Sequence, residues 1–187
     1  MEVVAYNGQG GMRKDKQLAI VREELEALAQ RIRANHQKAG QVASGRTLKS
    51  IRVDVSGDEG TLYGRAYFGV LETGRRAGRV PRNFQQIILQ WMKDKGVHAD
   101  PIPYKRKASA TWQPKYTAQE RGDRSLAGAI ARKIQPEGSS LYRSGGRTDI
   151  FSNEIPVTTE RILQRLALVF SKDIESETIN YITLSKL

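Results

Sequence analysis

The sequence predicts an α+β fold with an antiparallel sheet, and three observations carry that expectation. Long stretches repeat apolar residues at spacings of three and four. Two adjacent short runs alternate apolar and polar residues around a Gly-rich turn. Strands do not alternate with helices in the βαβ order that would build a parallel sheet. The expected order is helix, hairpin, helix, long loop, helix, long helix.

The first helix is expected over residues 14–36. Leu18, Val21, Leu25, Leu28 and Ile32 mark one apolar face, with Gly10 and Gly11 before it and Gly40 after it. Glu23, Glu24 and Glu26, followed by Arg31 and Arg33, make a solvated outer face. Ile51, Val53 and Val55 alternate with Arg52, Asp54 and Ser56, and Leu62, Gly64, Ala66 and Phe68 alternate with Tyr63, Arg65 and Tyr67. With Gly57-Asp58-Glu59-Gly60 between them, the two runs predict a β-hairpin. A helix over 83–95 places Phe84, Ile87, Ile88 and Trp91 on one face and stops at Gly96. Residues 97–123 show no strong period and hold Pro101, Pro103 and Pro114, which predicts a long loop; its aromatic residues point to docking against a neighbour. A short helix over 124–135 carries Leu126, Ala127, Ile130 and Ile134, ended by Pro136 and Gly138, and a Gly/Ser/Arg loop runs to Asp149. The last helix, over 156–170, has Pro156 in its first turn and Ile162, Leu163, Leu166 and Phe170 along it. The tail after it, with Ile179, Tyr181 and Ile182, fits a short strand or more helix equally. The expected organisation is one domain over 1–187, with a partner-contacting loop at about 97–123 and a C-terminal helix and tail at about 156–187.

A chain of 187 residues is long enough for one proper core. Hydrophobic residues at 39% and charged residues at 27% indicate a fold with much surface, or one whose remaining apolar faces partners cover. Cysteine is absent, which excludes disulfides and thiolate metal sites. Residues 1–7 lack a basic segment and a long apolar run, so no signal peptide is expected, and no apolar run reaches membrane-spanning length. The net charge of +11, from 31 Lys+Arg against 20 Asp+Glu, favours a polyanionic partner, either nucleic acid or an acidic protein surface.

Catalytic chemistry finds little support. His36 and His98 lack carboxylate or cysteine neighbours at ligand spacing, and both are expected on the surface rather than on a metal. Gly8-Gln9-Gly10-Gly11 has no Lys-Ser or Lys-Thr in the phosphate-loop position. A glycosidase would need a second placed carboxylate beside Glu72, and Asp54 and Asp58-Glu59 fit turn formers better. No enzyme activity, cofactor or metal is expected. The strongest feature is the loop Gly74-Arg75-Arg76-Ala77-Gly78-Arg79-Val80-Pro81-Arg82. Its glycines allow close approach and its guanidiniums can hold carboxylate or phosphate, with Glu72 placed to pair with one of them. Tyr104-Lys105-Arg106-Lys107, with Trp112 and Tyr116, and Arg143 with Arg147, give two further basic loops. Helix-turn-helix or zinc-module reading of DNA has no support.

Four short segments, in order, resemble a family of bacteriophage neck and tail-completion proteins from the head–tail joint. Ala43-Ser44-Gly45-Arg46-Thr47-Leu48-Lys49-Ser50-Ile51 is similar to the segment joining first helix and first strand in that family. Tyr67-Phe68-Gly69-Val70-Leu71-Glu72-Thr73-Gly74 resembles its strand-end motif, followed by the Arg/Pro loop. Residues 87–96 and 129–151 resemble a longer subgroup, while residues 97–150 depart from the short form. The resemblance implies a structural virion protein made in the host cytoplasm. It would assemble with itself as a ring below the portal, touch portal or adaptor and tail proteins, and surround the DNA channel. Glu72, Arg75, Arg76, Arg79, Arg82, Tyr104, Lys105, Arg106, Lys107, Trp112, Tyr116, Arg143 and Arg147 are the expected contact residues. The alternative is a sequence-independent nucleic-acid-binding protein using the same basic loops.

Overall fold

A computed structural model describes residues 9–57, 59–105 and 113–184. In chain order the elements are α1 Gln9–Lys38, α2 Arg46–Lys49, β1 Arg52–Ser56, β2 Glu59–Tyr63, α3 Val70–Thr73, α4 Phe84–Lys95, α5 Ala118–Glu137, α6 Ser140–Arg143 and α7 Glu154–Leu184. The fold is α+β, mostly helical, with one two-stranded antiparallel sheet among the described residues. The chain forms two compact units interleaved in sequence. One is Met1–Lys38, Lys49–Arg65 and Thr148–Leu187; the other is Ala39–Leu48 and Ala66–Arg147. Residues 1–8, including Gly8, and Asp58 of the expected turn lie outside the described residues.

The first unit is built on α1, which packs against α7 and the hairpin. Ile20, Leu28, Ala29 and Ile32 of α1 are buried, with Ile51 and Ile150 from the segments that flank it. Val21 and Leu25 lean on Gly60 of β2, where an added Cβ would collide with both side chains. A two-stranded hairpin is marginal alone; here α1 covers one face, and Arg33 donates to the Ile51 carbonyl at 2.6 Å. The register pairs Val53 with Leu62 and Val55 with Gly60. Polar ties run along the α1–α7 seam. The Arg31 guanidinium donates to Glu154 at 2.8 Å and to the Thr158 hydroxyl at 2.7 Å, and Arg165 reaches Glu23 at 2.6 Å and Glu24 at 2.9 Å.

The second strand is shorter than its alternation predicts, ending at Tyr63 rather than running on to Phe68. With no third strand among the described residues, the backbone from Tyr67 satisfies itself by local helical bonds, Val70 N–H to the Tyr67 carbonyl at 3.1 Å and Leu71 N–H to Phe68 at 3.0 Å. Glu72 therefore lies in a helical turn, not just past a strand end. At the C-terminus, of the two readings open for the tail, short strand or more helix, it is the helix that forms, and α7 continues to Leu184.

The second unit centres on the α4–α5 pair. Phe84, Ile88 and Met92 of α4 close on Ala127 of α5, with Leu126, Ile130 and Ile134 packed around them. The buried stripe is thus 84, 88 and 92; Ile87 and Trp91, expected on it, remain 44% and 41% exposed because they sit one position back around the helix. Gly96, at φ +66°, ends α4 in a Schellman arrangement, with Gly96 N–H to Lys93 and Val97 N–H to Met92 at 2.9 Å.

Helix α5 is longer than expected, 118–137 against 124–135. A capping box starts it: the Thr117 hydroxyl accepts the Glu120 N–H at 3.1 Å, and the Glu120 carboxylate accepts the Thr117 N–H at 2.8 Å. Residues 97–105, expected as part of a loop that contacts a partner, lie against its first turns. Ile102 N–H donates to the Ala118 carbonyl at 2.9 Å, and the Asp100 carbonyl touches Gly122 where a side chain would sit.

Candidate contact surface

The Gly/Arg loop after α3 is held in one shape by backbone bonds to the last turn of α5 and the segment after it. Gly78 N–H donates to the Gln135 carbonyl at 2.8 Å, and Ser139 N–H to the Arg75 carbonyl at 2.8 Å. The Ser139 hydroxyl, which also caps α6, accepts the Arg75 N–H at 2.8 Å. Arg147 N–H donates to the Glu72 carbonyl at 2.9 Å. Gly74 and Gly138 are required here. Both have positive φ, +70° and +80°, and an added Cβ would strike the Tyr142 backbone at the first and the Arg75 carbonyl at the second. Parts of the two blocks that stood out in the sequence, residues 67–82 and 129–151, are therefore joined by backbone bonds into one loop cluster, between residues 72–78 and 135–147.

Its arginines divide into two groups. Arg75 turns inward: its guanidinium lies 5.0 Å from the Phe84 ring centroid and donates to the Arg79 carbonyl at 3.0 Å. Arg143 also serves the cluster, donating to the Gly138 carbonyl at 2.9 Å and lying 3.4 Å from Glu137. Arg147 is half-buried, while Arg76, Arg79 and Arg82 are exposed. Glu72 is 3% exposed, so its carboxylate is interior to the unit rather than offered to solvent.

Tyr104, Lys105 and Tyr116 are not part of this cluster; they flank the start of α5, a helix of 20 residues whose far end carries the cluster. There Arg121 stacks 3.8 Å from the Tyr104 centroid, and Arg124 lies 4.3 Å from Tyr116 with Lys115 at 5.5 Å. Lys105 is exposed. Arg106, Lys107 and Trp112 lie outside the described residues.

Neither histidine is a plain surface residue with no carboxylate nearby. His36 is 3% exposed, since it follows Leu28 and Ile32 at four-residue steps on the buried side of α1. The His98 ring is outward, but its Nδ1 lies 3.1 Å from Asp123. Asp123 also accepts the Ala99 N–H at 2.9 Å and the Gln119 amide at 3.0 Å. The Ala99 bond first, and His98 next, hold this carboxyl below its ordinary value of 3.8. Asp123 is thus an anchor for the chain after α4. Among the described residues no group of three or more His, Asp or Glu side chains is placed to hold a metal ion, and no helix is long and apolar enough to cross a membrane.

The sequence reading overlooked Arg121, Asp123 and Arg124. The signal that would have found them is Thr117-Ala118-Gln119-Glu120, whose Thr-x-x-Glu spacing fixes the start of α5 and hence its faces. The charge is just as unevenly placed. The second unit holds 17 Lys+Arg against 6 Asp+Glu, and the first holds 14 of each, so the entire excess of +11 belongs to the second. No protein-family model, no curated protein and no solved structure matches this chain.

Proposed function

We propose that the protein is a structural component of a tailed bacteriophage particle, part of the neck ring that joins portal to tail around the DNA channel. The observation that carries this reading is the loop cluster: the Arg76, Arg79 and Arg82 side chains are presented from a backbone already fixed by Gly74, Ser139 and Gly138. A preformed loop loses little freedom on docking, which suits repeated subunit contacts. Its basic charge fits an acidic patch on the next subunit or on the portal, and head-to-tail ring contacts join unlike patches. The motif order shared with neck and tail-completion proteins supports the same reading. The chain is read as non-enzymatic, without cofactor, and as belonging to the virion.

Light scattering and negative-stain microscopy of the purified protein, alone and with portal-complex proteins, test the proposal. Closed rings, or a monomer that enters rings only with those proteins, are expected. Charge reversal of Arg76 and Arg79 should prevent assembly; assembly unchanged by that reversal would refute the contact role. Sequence-independent nucleic-acid binding is the second reading, and the confinement of the whole +11 excess to one unit favours it. It predicts a monomer that ignores portal-complex proteins and coats duplex DNA.

A further inference from the structure

Beside α5 runs a groove of about 280 Å³ lined by Gln85, Arg124, Ser125, Gly128, Ala131 and Arg132. Every polar side chain in that lining can donate a hydrogen bond, and none is a carboxylate. Arg124, Gly128 and Arg132 follow one another at four-residue steps, so they share a face of the helix. The two arginines stand about 12 Å apart along its axis, with the glycine leaving the floor open between them.

One end of the groove is ordered by two contacts. The Gln85 amide donates to the Arg124 carbonyl at 2.8 Å, tying α4 to α5 at the rim. Arg124 is steadied by the Tyr116 ring at 4.3 Å, while Arg132 is exposed. Part of the reason for Gly128 is clearance, since a Cβ there would come within 3.1 Å of the Gln85 Nε2. That clearance does not explain two arginines bracketing an opening with no acid in it.

We infer that this groove seats phosphate groups of a nucleic-acid backbone. Protein–protein contacts are more apolar at their buried centre, and for that this lining offers only Ala131 and Gly128. Phosphate recognition needs guanidinium and amide donors alone, and carries no sequence preference. The inference rests on the proposed function only in taking packaged DNA as the source of the phosphates; it does not depend on ring formation.

The test is fluorescence anisotropy of a labelled DNA duplex with the full-length protein, at salt from about 50 to 200 mM. The Arg124→Ala/Arg132→Ala double variant should lose roughly tenfold or more in affinity, and its salt slope should fall by about 1.8, about 0.9 for each phosphate contact. The corresponding double Lys variant should recover most of the slope. Because Arg124 packs on Tyr116, the single Arg132→Ala variant, changed at an exposed side chain, provides a second reading with an expected loss of about 0.9. Wild-type affinity and slope in both Ala variants would overturn the inference. So would a labelled polyglutamate peptide that binds as tightly as DNA with the same arginine dependence. Because the assay reads the free protein, a failure to form rings leaves its result intact.

Discussion

The two units use the same helical material in opposite ways. In the first, α1 and α7 are long, their seam is made by side chains, and the composition carries no net charge. In the second, shorter helices are joined by turns, and the joints are made by backbone. Among the described residues nine glycines have positive φ, and all but Gly57 belong to the second unit. Charge divides along the same line, since the second unit gathers the entire basic excess. Exposed apolar residues occur in both, Leu163 at 62% and Ile174 at 64% in the first, Ile87 at 44% and Trp91 at 41% in the second. Rigid loops can hold like charges near one another at low entropic cost, because the chain is already ordered before any partner arrives.

The largest effects should come from the cores, and they should stay within their units. Met92 is 1% exposed and Ile32 is 2% exposed, so Met92→Ala and Ile32→Ala should each cost about 2–5 kcal/mol. Hydrogen exchange distinguishes them: Met92→Ala should speed exchange in α4 and α5 while α1 and α7 keep their protection, and Ile32→Ala should do the reverse. Equal loss of protection across both units in either variant would break the comparison.

Backbone locking predicts a different sensitivity. Gly74→Ala imposes a side chain at φ +70° and against the Tyr142 backbone, at an expected cost of about 1–3 kcal/mol in denaturant unfolding. Protease cleavage between Arg75 and Arg82 should rise in the same variant. The matching change in the first unit, at Gly57, meets nothing within 4 Å and should cost less despite its φ of +61°.

How much of this was legible in the sequence follows the same division. Helices α1 and α4 were readable because an unbroken 3.6-residue period reports a side-chain-packed face. The start of α5 was not, because Gly122 and Asp123 interrupt its apolar pattern for reasons of contact: one gives way to the Asp100 carbonyl, the other receives Ala99. The end of β2 was misplaced because the alternation through Phe68 says which side chains could face inward, not whether a partner strand exists. Both loop blocks were conspicuous, but their pairing depends on long-range backbone bonds that leave only glycines and Ser139 as trace. The charge division was hidden because the basic unit is assembled from two separate stretches of chain.

The Asp123 anchor gives a pH-dependent distinction of smaller size. Its carboxyl is held below 3.8 in the folded protein, so the stabilisation it provides is present above that ordinary value and is lost as pH falls through the folded value. Asp123→Asn should lower the melting temperature at neutral pH, and the gap from wild type should close only in acid below 3.8. A gap that is unchanged at the lowest pH would mean the anchor acts by shape rather than charge.

The smallest stability changes expected are within the Arg loop, and they separate its two groups of arginines most sharply. Arg75 packs on Phe84 and serves the Arg79 carbonyl, so Arg75→Ala removes a stem and a donor from the unit and should cost about 1–2 kcal/mol. Arg76 and Arg79 are exposed, and replacing each by Ala should alter stability by less than about 0.5 kcal/mol. On the proposed neck role, their loss should appear instead in assembly with portal-complex proteins. If Arg76→Ala destabilised the fold as much as Arg75→Ala, the loop's outward arginines would be structural, and the contact role would pass to the basic residues at the start of α5.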